Sequence, residues 1–169
     1  EKQLFDALCQ AGEQIAGAAS NPTVWAIDAG YMGQTVRRYA DTTGRKCGMQ
    51  IILCRGFDGQ RYRPGFKAIG RPREQCHLTD WPQIGRGLAW NTHYWREVMQ
   101  RAWLGAIGKP GSCSLPRGVH TDYAEQIWRE RMLGRSEVGG KQVWVFAQQP
   151  GRHDFGDAHA QAYAVAAYG

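Results

Sequence analysis

The 169-residue chain has no apolar run approaching the roughly 20 residues that span a bilayer, so no membrane-crossing segment is expected. It has no Cys-x-x-Cys pair. Its five cysteines, Cys9, Cys47, Cys54, Cys76 and Cys113, are odd in number and scattered. That pattern argues against a disulfide framework and against a structural zinc site, and a reducing, cytoplasmic setting follows. There is no Gly-x4-Gly-Lys-[Ser/Thr] loop, which excludes a nucleotide-driven motor of that type. Neither Gly-x-Ser-x-Gly nor His-Glu-x-x-His occurs, which removes the serine-hydrolase elbow and the helical zinc peptidase motif. The five histidines, His77, His93, His120, His153 and His159, lack convincing zinc spacing. The opening EKQLFDALCQ is charged and helical in character, unlike a signal peptide.

Acids are scarce in one stretch. Between Arg37 and Arg73 there are ten Lys or Arg against Asp41 and Asp58, a local excess of +8 in a chain whose formal charge is +6. Such a segment suits a phosphate-binding surface. Phe57, Tyr62 and Phe66 are interleaved with it and could stack on bases or sugars. Arg61, Arg63 and Lys67 are the candidate nucleic-acid contacts, and a solvated basic loop face is the competing reading.

What is present supports a globule. Hydrophobic residues make up 43% and there are seven tryptophans, enough for one domain with a single core. We expect a helical lead-in over residues 1–20 and a core over 21–169. TVWAIDAG and MQIILC read as buried strands. Residues 33–42 read as a helix, and the Gly-, Pro- and Arg-rich span 55–90 as hairpins and loops. Asn91 to Leu104 is an amphipathic helix capped by Asn91 or Thr92. CSLP is a short strand or extended piece, His120 to Leu133 a helix, Gly139 to Gln148 a turn and strand, and the last helix begins near Asp154. Strands alternating with helices give an α/β or α+β sheet with helices on its faces.

The chemistry concentrates in aspartates. Asp28 ends an apolar strand and is followed by Ala-Gly. It either projects into a cleft, where a metal could supply the missing charge, or simply opens a turn. Asp154 and Asp157 stand at the start of the last helix. Asp154 as N-cap and Asp157 at N3 would suit the helix dipole. Spaced i and i+3, they also share one face. One strand carboxylate with two helix carboxylates suits a two-ion phosphoryl-transfer site holding Mg²⁺ or Mn²⁺. His153 is a possible outer ligand or proton carrier.

VWAIDAGYMGQTVRRYA resembles the strand-plus-helix block of the C-terminal nuclease domain in large terminase subunits of lambda-type tailed bacteriophages. GLAWNTHYWREVM resembles that family's next helix block. YAEQIWRERM with GGKQVWVFAQQPGRHDFGDAHAQAYAVAA resembles its ending. The resemblance runs from about Thr23 to Ala167, through short motifs in the family's order. It implies an α/β, ribonuclease H-like mixed sheet flanked by helices. It also implies a metal-dependent endonuclease of viral DNA packaging that cuts concatemeric double-stranded DNA with Mg²⁺ or Mn²⁺, two ions in all. Carried over, Asp28, Asp154 and Asp157 are the metal ligands and catalytic residues. The middle acid stays open among Asp80, Asp122 and Glu130, with Asn91 where a carboxylate might stand. The implied partners are double-stranded DNA, the small terminase subunit, the portal and an ATPase motor domain absent from this chain. The implied location is the cytoplasm of an infected bacterial host. A junction resolvase or transposase core would share the carboxylates, and a non-catalytic DNA-binding domain would use them only as caps.

Overall fold

A computed structural model describes residues 1–18, 24–43, 50–58, 61–62, 75–138, 141–147 and 149–168. The chain gathers into two compact units. The first is Glu1–Gly56 with Pro64–Trp90, and the second is Phe57–Arg63 with Asn91–Gly169. No helix among the described residues is long and apolar enough to cross a membrane.

Unit 1 is a mixed sheet flanked by helices. Its elements are α1 (Lys2–Ala18), β1 (Val24–Asp28), α2 (Gly33–Thr42), β2 (Gln50–Phe57), β3 (Cys76–Trp81) and β4 (Gly85–Asn91). The strand order is β1-β2-β4-β3. β1 runs parallel to β2, with Asp28 opposite Cys54, and β3 pairs antiparallel with β4. The crossover between parallel strands needs a helix, and α2 supplies it. Ile27, Ala29, Val36, Tyr39, Leu53 and Ile84 form the core, with Leu4, Phe5, Leu8 and Trp25 packed around it. Tyr39 is fully buried and meets Phe5 and Trp25 edge-on at 6.0 and 5.7 Å. Gly87 has no side chain because a Cβ there would come within 2.5 Å of the Leu53 carbonyl on β2.

Unit 2 holds α3 (Thr92–Leu104), α4 (Thr121–Arg129), β5 (Met132–Val138), β6 (Lys141–Phe146) and α5 (Asp154–Tyr168). The Asn91 side chain accepts from the Tyr94 N–H at 3.3 Å, the expected cap of α3. α5 packs on α3 and α4. Gly156, Ala160 and Ala164, four residues apart and all buried, let the helices approach closely. Two expectations need correction. The helix over 120–133 stops at Arg129, and Met132–Val138 is a strand paired antiparallel with β6. Glu130 has left the helical region at φ −119° and ψ 63°, and Gly134, at φ 148°, sits at a register shift inside the strand. Cys113 to Pro116 form no strand.

Candidate metal and phosphate site

Asp28 is the last residue of β1 and is exposed. Its carboxylate accepts the Gly30 N–H at 2.9 Å, a turn closed by the side chain itself. A polar cavity of about 240 Å³ adjoins this turn, walled in part by Ala29, Gly30, Gly33 and Arg55. Asp28 belongs to unit 1, whereas Asp154 and Asp157 belong to unit 2.

In unit 2 the acids converge around one arginine. The Arg96 guanidinium lies 2.8 Å from Glu130 Oε1. It also donates to Asp157 Oδ1 through Nε at 3.1 Å and through Nη2. The Phe146 ring centroid lies 5.9 Å from the same guanidinium. His153 Nε2 stands 4.0 Å from Asp157 Oδ2. Glu130, His153 and Asp157 each offer one ligand atom, all within 4.8 Å of one another. Glu130 is 5% exposed. Burial pushes its carboxyl above the usual range, Arg96 pulls it back, Asp157 pushes it up and His153 pulls it down.

Two glutamines, the half-buried Gln100 and the buried Gln126, hold this arrangement. Gln100 donates to the Glu130 carbonyl at 2.6 Å and accepts from the Met132 N–H at 2.8 Å, which fixes the turn carrying Glu130. Gln126 is 1% exposed. It donates to Asp122 at 3.2 Å and accepts from the Phe155 N–H at 3.2 Å. That last bond satisfies a first-turn donor of α5 from another helix. Asp154 lies inside the first turn rather than ahead of it. Its carboxylate accepts from Arg152 Nε at 3.0 Å, and its side chain is 65% exposed.

The remaining candidates are dispersed. Asp80 is exposed on β3, opposite Arg86. Asp122 is engaged with Gln126. Arg61 is strongly exposed and pairs with Asp58 at 3.3 Å. Arg63 and Lys67 lie outside the described residues. Sequence reasoning did not single out Arg96, because one Arg within the helical WREVM carries no local mark of its partners.

Two carboxylates and an imidazole are a set that could hold a divalent cation. Two carboxylates are hard oxygen ligands, and an imidazole is better tolerated by manganese. An ion holding ligands at about 2.1 Å bridges atoms up to about 4.2 Å apart. The three atoms, within 4.8 Å, therefore need to close only slightly. Arg96 pairs with both carboxylates, so a cation would have to compete with it for their charge.

Comparison with protein families, with curated proteins and with solved structures gives no match for this chain.

Proposed function

We propose that the chain is a metal-dependent DNA endonuclease domain of the terminase large-subunit kind, acting on double-stranded DNA. The observation that carries the reading is the convergence of Glu130, His153 and Asp157 at the start of α5. It favours Glu130 among Asp80, Asp122 and Glu130 as the middle acid. Asp28 remains a separate candidate acid in unit 1, and Asp154 stands as an outer acid on the same turn as Asp157. Bound at such carboxylates, Mg²⁺ or Mn²⁺ would polarise a phosphodiester and favour attack by water. The chain's own residues do the rest. Glu130 and Asp157 bind, Gln100 and Gln126 hold them in place, and Arg61 with the basic segment draws in the phosphate backbone.

A second reading has its own support. Arg96 already neutralises both Glu130 and Asp157, so the cluster could be structural and the domain a DNA-binding one. Incubation with supercoiled plasmid in Mn²⁺, Mg²⁺ or excess chelator separates the two. The nuclease reading expects nicking with either ion and none with chelator, while the protein stays folded. A folded protein that binds the plasmid but leaves it intact in both metals sinks the nuclease reading.

A further inference from the structure

We propose that Cys113, His159 and Tyr123 form a nucleophilic thiol site in unit 2 that reacts with hydroperoxides carrying an apolar body. Cys113 is held in place by its backbone N–H, which donates to the Ala102 carbonyl near the end of α3 at 2.9 Å. Its Sγ lies 3.8 Å from His159 Nε2. The other ring nitrogen, Nδ1, lies 2.5 Å from the Tyr123 hydroxyl oxygen. The imidazole is fixed on its faces as well, stacked on Tyr163 at 5.3 Å and met edge-on by Trp103 at 5.6 Å. A nucleophile, a base within reach and a third group orienting the base make up the arrangement that activates a thiol. A tyrosine hydroxyl fills the orienting place usually held by a carboxylate or amide. Burial pushes its ionisation up to about 12, so it keeps its proton and can also accept from Nδ1–H. In that tautomer the Nε2 lone pair faces Sγ.

The other described thiols differ. Cys54 is fully buried, and burial pushes it up to about 12. Cys76 is buried too. Cys9 is half-buried like Cys113 but packs against the apolar cluster of unit 1.

The class of reactant follows from the walls. Trp103 and Tyr123 also line an apolar cavity of about 380 Å³, together with Leu104, Leu115, Ile127 and Trp128. Leu115 is two residues from the thiol. A cavity of this size takes a ring or a short alkyl chain. In the reaction Sγ attacks the terminal oxygen of R–O–O–H. An S–O bond forms, the O–O bond breaks, and the sulfur is oxidised by two electrons as the peroxide is reduced. The thiol proton passes by way of His159 Nε2 to the departing R–O⁻. The products are an alcohol and the sulfenic acid of Cys113.

The test treats the full chain with cumene hydroperoxide, traps sulfenic acid with dimedone and follows each cysteine by peptide mass spectrometry. Cys113 should be trapped roughly a hundredfold faster than Cys9, the low end of what a positioned proton acceptor contributes. Cumene hydroperoxide should outpace hydrogen peroxide at Cys113 and not at Cys9. His159→Gln should bring Cys113 down to the Cys9 rate with an unchanged melting temperature, and Tyr123→Phe should give a smaller drop. Equal rates at Cys113 and Cys9 in the unmodified protein would overturn the proposal without any variant. So would a folded His159→Gln protein with undiminished trapping, and equal rates for the two peroxides would overturn the apolar-body assignment.

Discussion

Asp28 and Asp157 are acids of the same type held in opposite ways. Asp28, in unit 1, is exposed and engages the backbone two residues on. Asp157, in unit 2, is gripped by Arg96, 61 positions away in sequence, which also holds the buried Glu130. A carboxylate held by its own turn keeps a lone pair and open space for a ligand, and little else depends on it. A carboxylate inside an ion network is bound up with the fold. The same substitution at the two sites should therefore have different consequences.

Asp28→Asn and Asp157→Asn should each lower nuclease activity at least about 100-fold, since a metal's charge stabilisation is worth several kcal/mol. The melting temperature should separate them. Asp28→Asn keeps the turn, because Asn can also accept from the Gly30 N–H, and should melt like the parent protein. Asp157→Asn removes one of the two anions facing a largely buried Arg96 and should melt lower. Equal melting temperatures for the two variants would break the comparison.

Arg96→Met sharpens it next. It leaves Glu130 buried without its cation, and breaking such a pair costs about 3 kcal/mol. Arg37 and Asp41 form an ion pair in unit 1 whose side chains are 38% and 39% exposed. Arg37→Met should cost about 1 kcal/mol at most, even though Arg37 also donates to the Ile84 carbonyl at 3.0 Å. Chemical denaturation of both variants measures the gap. A cost for Arg96→Met as small as that for Arg37→Met would mean that the network is only a surface pairing.

Glu130 adds a pH dependence. Its folded-state carboxyl ionises above the ordinary value of 4.5, chiefly through burial. The folded state therefore holds the proton more tightly than the unfolded chain. Glu130's contribution to stability is complete below pH 4.5 and is lost as pH rises through the folded-state value. In Glu130→Gln that decline should vanish, so the parent's stability minus the variant's should fall as pH rises from 4 to 7. A difference that does not change over this range would place Glu130 in a more solvated setting than its burial indicates.

How far each site could be read from sequence follows from the same contrast. β1 was legible because VWAID is a short apolar run ending at an acid and a glycine, and the Asp-x-Gly turn is decided within three residues. The Asn91 cap of α3 was legible for the same local reason. β5 was misread because YAEQIWRERML keeps helical spacing beyond Arg129. The strand beyond it is defined by pairing with β6, which no local window contains. The Glu130–Arg96–Asp157 network joins three elements, so only its acids could be guessed, and Glu130 only as one of three. Gln126, which serves α5 from α4, carried no signal, since a glutamine on a helix face is ordinarily solvated.

Asp154→Asn, like Asp28→Asn, should leave stability nearly unchanged, and it tests the comparison most sharply. Asp154 is largely exposed, and its recorded partner is Arg152, itself 76% exposed. Such a pair contributes between nothing and about 1 kcal/mol, and an acid in the first helical turn about 0.3–1 kcal/mol. Asn removes the charge but keeps an oxygen for Arg152, so the melting temperature should barely move. Gln126 already accepts from the Phe155 N–H, so the start of α5 does not depend on Asp154. Cleavage should fall severalfold, well short of the loss in Asp157→Asn, because Asp154 stands outside the three-residue group that could hold an ion. Suppose instead that cleavage collapses at an unchanged melting temperature while Asp157→Asn retains activity. The working carboxylate of α5 would then be the exposed Asp154, and the Arg96 network would be a structural clamp. The rule would be that the exposed acid of α5 serves as ligand, while Glu130 and Asp157, tied to the largely buried Arg96, hold the fold.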